Sequence, residues 1–193
     1  MNIIETLNTE ERKQISIKNL EKDAILYREN DKCETVGVVI NGKVSIVTYL
    51  YNGNEVIYNV LGENEMFGNN LIFSSEPYYK GSIIAEQDSK IALISKDVLI
   101  KLLKTNDNFM LEYLRLQSNF GKSLNTRIKL LSIDSAEERF YFYMHQNKNK
   151  ISYTSVSNLA KLLYMKRETL SRLLSKLEKQ KKIKRTKNTI EVL

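Results

Sequence analysis

The sequence predicts an α+β protein: an N-terminal antiparallel β-roll, a long helix, and a C-terminal winged helix-turn-helix. Three observations carry that expectation. Residues 36–94 fall into short apolar runs broken by turn residues, apolar positions between 110 and 131 repeat with heptad spacing, and residues 155–180 read as two short amphipathic helices followed by a basic segment. The expected divisions are 1–107 for the roll, 108–133 for the long helix and 134–193 for the winged unit.

The strands come first. Val36–Ile40 is apolar, Gly42 breaks it, and Lys43–Tyr51 alternates through Val44, Ile46 and Leu50. Asn52-Gly53 then precedes Glu55–Leu61. Asn-Gly supplies the positive φ of a type I′ turn, so these two runs read as a hairpin. Short strands continue at Ser82–Ala85 and Lys90–Ile94, and Pro77 falls in the Ser74–Tyr79 loop, outside any strand. Many short strands with frequent turns imply a sandwich or roll of roughly 90 residues.

From Ser95 the period changes. Ser95 is placed to cap a short helix carrying Val98, Leu99, Leu102 and Leu103. After the polar break at Thr105–Asn108, Met110, Leu114, Gln117, Gly121, Leu124, Ile128 and Leu131 recur at alternating spacings of four and three. That is a heptad stripe on a helix about 35 Å long. It reads as the seam of a parallel homodimer, against the plainer alternative of a strut packed on its own domain. Gln117 and Gly121 weaken such a seam, although a small residue lets two backbones approach closely. Ser135, followed by Glu137 and Glu138, caps a further helix through Arg139, Phe140, Phe142 and Tyr143 to His145, and Gln146–Lys150 reads as a loop.

Ser155 can cap a helix whose Val156, Leu159, Ala160 and Leu163 share one face. After a tight break at Tyr164-Met165, a second helix spans Lys166–Gln180. Its Leu170, Leu173, Leu174 and Leu177 cluster within an arc of about 100°, leaving Arg167, Glu168, Ser171 and Arg172 on roughly the opposite side. Those are groups that read base edges, arginine bonding bidentately to guanine and glutamate accepting from cytosine. The plainer alternative is surface charge, with Glu168–Arg172 as an i,i+4 pair. Past Gln180 a hairpin with its turn near Lys187-Asn188 forms a wing whose Lys184, Arg185 and Lys187 are suited to phosphate.

Composition narrows the function. At 42% hydrophobic and 27% charged, the 193 residues have the profile of a globular protein. The net charge of +7 is uneven. Residues 151–193 hold 11 of the 30 Lys and Arg and 3 of the 23 acids, giving +8, while residues 1–150 hold 19 against 20, or −1. A basic end on a neutral body points to a polyanion partner. The longest apolar runs are far shorter than a membrane helix, and no basic-then-apolar leader opens the chain, so a cytoplasmic location and no membrane association are expected. One cysteine, Cys33, rules out an internal disulfide and a four-cysteine metal site, and the lone His145 disfavours histidine-based metal or triad chemistry. No cofactor, no metal and no enzymatic activity are expected.

The chain resembles the Crp/Fnr superfamily of bacterial transcription regulators over nearly its whole length. Arg167-Glu168-Thr169-Leu170-Ser171-Arg172 is similar to that family's R-E-T-x-x-R recognition-helix signature. The resemblance implies base contacts by Arg167, Glu168 and Arg172 and phosphate contacts by Thr169 and Ser155; Ser171 on the same face is an expected base contact and Lys166 an expected phosphate contact. The family often has Gly where Tyr164 stands and Ser where Lys166 stands, so a left-handed tyrosine and a poorer helix cap are expected here. The family's cyclic-nucleotide box, F-G-E followed by Arg-Ser or Arg-Ala, is altered: Asn69 replaces the glutamate and Tyr79 the arginine, with Lys80 one position along. Loss of both charged anchors argues against cyclic AMP. Phe67, Asn69, Tyr79 and Lys80 mark the place of an effector pocket, and Phe67, Phe73, Tyr78 and Tyr79 either line it or belong to the core.

Together these features predict a homodimeric, sequence-specific regulator binding double-stranded DNA at an inverted repeat, with RNA polymerase as an expected partner and an unidentified small effector. The rival reading is a small-molecule-binding roll whose basic tail binds RNA or protein without specificity. A metal-dependent enzyme built on the roll is disfavoured because the roll contains no histidine.

Overall fold

A computed structural model describes residues 3–193, Tyr58 through its backbone alone. The chain divides into two compact units, Met1–Ser118 and Asn119–Leu193.

The first unit holds eight strands: β1 (Ser16–Leu20), β2 (Ile25–Tyr27), β3 (Thr35–Asn41), β4 (Val44–Tyr49), β5 (Glu55–Leu61), β6 (Met66–Phe67), β7 (Ser82–Ala85) and β8 (Ser89–Ser95). They form two antiparallel four-stranded sheets in the orders β1-β8-β3-β6 and β2-β7-β4-β5. Consecutive β3 and β4 lie in different sheets, which is the winding expected of a roll. Val36, Val38 and Ile91 from one sheet join Val44 and Ile83 from the other in a single buried cluster. Gly37 sits opposite Phe67 in the β3–β6 register. A Cβ added at Gly37 would fall 1.9 Å from that ring, so the close approach requires glycine.

The β4–β5 hairpin forms, but not on a type I′ turn. Leu50 N donates to Asn54 O at 2.9 Å and Gly53 N to Leu50 O at 2.8 Å, and Gly53 alone in the loop has a positive φ, +79°. This is a three-residue loop, a type I turn closed by a left-handed glycine. Asn52 instead spends its side chain accepting from Asn54 N at 3.0 Å.

Ser95 caps α2 (Lys96–Thr105), its hydroxyl accepting from Val98 N. Asn106 accepts from Phe109 N at 2.9 Å and opens α3 (Asp107–Ser132), 26 residues or about 39 Å. A one-turn helix, α1 (Thr9–Arg12), precedes the sheets.

The second unit contains α4 (Ala136–Gln146), β9 (Lys150–Ser152), α5 (Val156–Leu162), α6 (Arg167–Lys179), β10 (Ile183–Arg185) and β11 (Thr189–Val192). Ser135 and Ser155 cap α4 and α5. The sheet order is β10-β11-β9. Lys150 was expected in a polar loop; it begins β9 because Ile151 pairs with Ile190 and buries its side chain. Phe140, Met144, Leu159, Leu163 and the four leucines of α6 make this unit's core.

Candidate nucleic-acid interface

The α5–α6 junction is built by backbone rules. Ser155 Oγ accepts from Asn158 N at 3.1 Å and starts α5, which buries Leu159 and Ala160. At its other end Met165 N donates to Ala160 O at 3.0 Å and Tyr164 N to Lys161 O at 3.1 Å. That pair of bonds is a Schellman stop, whose left-handed position is usually glycine. Here it is Tyr164, at φ +51°. A non-glycine residue in that region costs roughly 1–2 kcal/mol, so the surroundings must hold the turn. Lys166 follows as N-cap of α6 and provides no side-chain hydrogen bond, as the sequence predicts.

α6 is anchored by Leu170, Leu173, Leu174 and Leu177, all buried. Arg167, Glu168, Thr169, Ser171 and Arg172 are exposed on its other side. Among the described residues, the side chains of Arg167, Glu168 and Arg172 form no ion pair or hydrogen bond with the protein, so the i,i+4 pair considered above is not made. The C-terminal half of the helix behaves differently. Lys176 Nζ lies 2.7 Å from Glu137 Oε2, and the hydrogen bond it donates holds the Glu137 carboxyl below the usual carboxylate range. Lys182 reaches the same carboxylate at 3.9 Å. Cations therefore secure the rear of the helix while those at its front stay free.

In the wing, Thr186 and Thr189 bond to each other across the turn, leaving Lys187 exposed at the tip and Lys184 exposed on β10. Arg185 differs from the expectation of a free phosphate contact: it is half-buried and paired with Glu178 at 3.4 Å. Its position on β10 turns it back onto α6.

Along α3, Leu114, Leu124, Ile128 and Leu131 are between 40% and 61% exposed. A Cβ at Gly121 would meet nothing within 4 Å. Leu111, at 57% exposure, extends this apolar surface; its spacing of three from Leu114 was the available signal. Met110 is half-buried. Gln117 turns to its own unit, where its amide donates to Asn69 O at 2.8 Å and accepts from Asn69 Nδ2 at 2.8 Å. The seam residues thus separate into exposed aliphatic ones and one internally bonded glutamine.

The residues expected around an effector pocket separate in the same way. Phe67, Asn69 and Tyr79 are buried, and Lys80 is exposed. Tyr27 stacks on Tyr79 with centroids 4.7 Å apart, and Tyr79 OH donates to Thr35 O at 3.3 Å. Burial, with the Cys33 thiol beside it, pushes the Tyr79 phenol far above its usual range. Burial likewise pushes the Cys33 thiol up. Asn69 donates its side-chain amide to Gln117, and its backbone carbonyl accepts from Gln117 and from Tyr113 OH. Phe67, Asn69 and Tyr79 are thus interior residues packed by the protein's own side chains rather than the wall of an opening. Phe73 and Tyr78, grouped with them in the sequence, are 47% and 44% exposed. His145 lies exposed on α4. Among the described residues, no cluster of His, Cys, Asp or Glu is arranged to hold a metal ion, and no helix is long and apolar enough to cross a membrane.

Residues 17–106 match the family model described as "Cyclic nucleotide-binding domain". The chain is 21% identical over 174 residues to the anaerobic regulatory protein of Bacillus subtilis, covering 84% of this chain and 73% of the relative. It is 27% identical over 173 residues to the regulatory protein HlyX of Actinobacillus pleuropneumoniae, covering 84% and 71%. Its fold is similar to that of a CooA mutant from Carboxydothermus hydrogenoformans, with a TM-score of 0.73, 22% identity, and 100% and 91% of the two chains covered. The relatives are regulators by name, the fold is similar to that of the CooA mutant, and residues 17–106 belong to the cyclic nucleotide-binding domain family.

Proposed function

We propose that this protein is a homodimeric transcription regulator that reads double-stranded DNA with α6 of each protomer. The observation that carries the reading is the front of α6, where two guanidinium groups and a carboxylate stand on a leucine-anchored helix without partners of their own. Arg167, Glu168, Ser171 and Arg172 face the bases in a major groove. Thr169 and Ser155 contact phosphate. So does Lys166, where the uncapped start of α6 leaves backbone N–H groups for an anion. Lys184 and Lys187 supply phosphate contacts from the wing, and Arg185 buttresses α6 through Glu178.

The aliphatic residues of α3 from Leu111 to Leu131 form the dimer seam, with Gly121 permitting close backbone approach. Two recognition helices related by a two-fold axis then engage half-sites about 34 Å apart on an inverted repeat. RNA polymerase is the partner through which such a bound dimer acts on transcription. An effector, if one is used, biases the dimer between competent and incompetent arrangements. Cyclic AMP is not that effector in this reading, because both charged anchors are replaced and their replacements are packed inside.

A competition titration tests the proposal. Labelled inverted-repeat duplex, selected by the protein from a random pool, is challenged with scrambled duplex of the same composition. Discrimination of about 10³-fold or more, with dimers in sedimentation, is expected. Equal competition by both duplexes would favour the nonspecific basic-tail reading.

A further inference from the structure

We infer that Arg139 is a positioning residue for the recognition helix, its one guanidinium tying the carbonyl just past the end of α3 to the two carbonyls at which α5 turns into α6. The inference rests on the DNA-reading role of α6 and names what sets that helix in place.

Arg139 lies in the first turn of α4 and is half-buried. Its Nε and Nη2 both donate to Ile133 O, at 3.1 and 2.5 Å. Its Nη1 donates to Leu163 O at 3.3 Å and Tyr164 O at 2.6 Å. No carboxylate among the described residues pairs with it. Its charge is spent on three carbonyls, of which Ile133 O follows α3 and the other two end α5. Carbonyls at helix C-termini lack intrahelical donors and carry partial negative charge, which suits a cation.

The geometry needs arginine. A planar fork donates in two directions at once, whereas an ammonium is a single point from which one side of the clamp would be lost. The clamp also grips the turn where it is strained. Tyr164 occupies a left-handed position that glycine would adopt freely, and Arg139 holds the carbonyls of the two peptides that flank the Tyr164 Cα. Arg167 follows three residues later. Small errors at this turn are carried directly into the direction of α6, and a site displaced by a fraction of an ångström loses its contacts.

The test uses the full chain with Arg139→Lys, Arg139→Gln, and each combined with Tyr164→Gly. Selected and scrambled duplexes are titrated at low salt. Arg139→Lys should reduce discrimination between them by roughly tenfold to a hundredfold, the range set by loss of a charged hydrogen bond, with scrambled-duplex affinity within about twofold. Adding Tyr164→Gly should recover part of the discrimination, because glycine accepts the turn without the clamp. Amide exchange gives a readout without DNA: residues 164–166 should exchange faster in Arg139→Gln while Leu170–Leu177 remain protected. Discrimination within twofold of wild type, no recovery with Tyr164→Gly, or equal loss of protection throughout α6 would overturn the positioning role. Wild-type protein without discrimination would instead remove the DNA-reading role on which it rests.

Discussion

Two stretches of this molecule treat polar side chains in opposite ways. At Phe67, Asn69 and Tyr79 the side chains are turned inward: Asn69 exchanges hydrogen bonds with Gln117, and Tyr79 stacks on Tyr27. Between Lys166 and Arg172, the charged side chains stand in solvent with no partner among the described residues. A buried amide is shut away from a ligand by the packing around it, and breaking the bond it makes leaves a buried polar group unpaired. An exposed arginine gives up only water when it meets a base or a phosphate. The first region is consumed by its own fold, and the second is held ready for another molecule.

The largest effect is expected at Phe67. Phe67→Ala should destabilise the first unit by about 3–5 kcal/mol in urea unfolding, because the ring is buried against Gly37. A loss below about 1 kcal/mol would mean that the ring lines a space instead of filling one. At the other pole, Arg167→Ala should leave the unfolding midpoint unchanged and weaken binding to a selected duplex by about 1–3 kcal/mol, relaxing preference at one base pair in an anisotropy titration. Lys184→Ala should act more evenly, lowering affinity for all duplexes and reducing the slope of log affinity against log salt by about 1. A base-specific loss there would move Lys184 from the phosphate contacts to the base contacts.

The smallest effect concerns Cys33. Burial raises its thiol above the unfolded value of about 8.5. The folded state then holds the proton more tightly, so its contribution to stability is complete below that unfolded value and is lost as pH rises through the folded one. Urea unfolding of wild type should weaken more steeply above about pH 8.5 than that of Cys33→Ala. Parallel curves would show the thiol to be in contact with solvent.

What the sequence revealed follows from which interactions are local. Ser95, Ser135 and Ser155 were legible as caps because each needs only its own side chain and an amide three residues on. The leucines of α6 were legible from their spacing, and so was the front they leave exposed. Strand β1 was not, since four of its five residues are exposed and show no alternation; it exists through pairing with β8, more than 60 residues away. The hairpin turn differs from the type I′ expectation because Asn-Gly fits two turn types, and in the three-residue loop only Gly53 is left-handed while Asn52 accepts from Asn54 N. Gln117 fits the heptad by position, yet its amide is drawn to Asn69, 48 residues away in sequence. Arg139 gave no signal, because its partners are backbone carbonyls, which no residue type announces.

The front of α6 is proposed to read base sequence, once from each of two protomers. Selection of duplexes from a random pool by the purified full chain tests it most directly. Enrichment of an inverted repeat with half-sites one helical turn, about 34 Å, apart is expected, and its loss when Arg167 and Arg172 are both changed to alanine. A pool left unenriched after repeated rounds, or an enriched site bound equally well by the double variant, would contradict it.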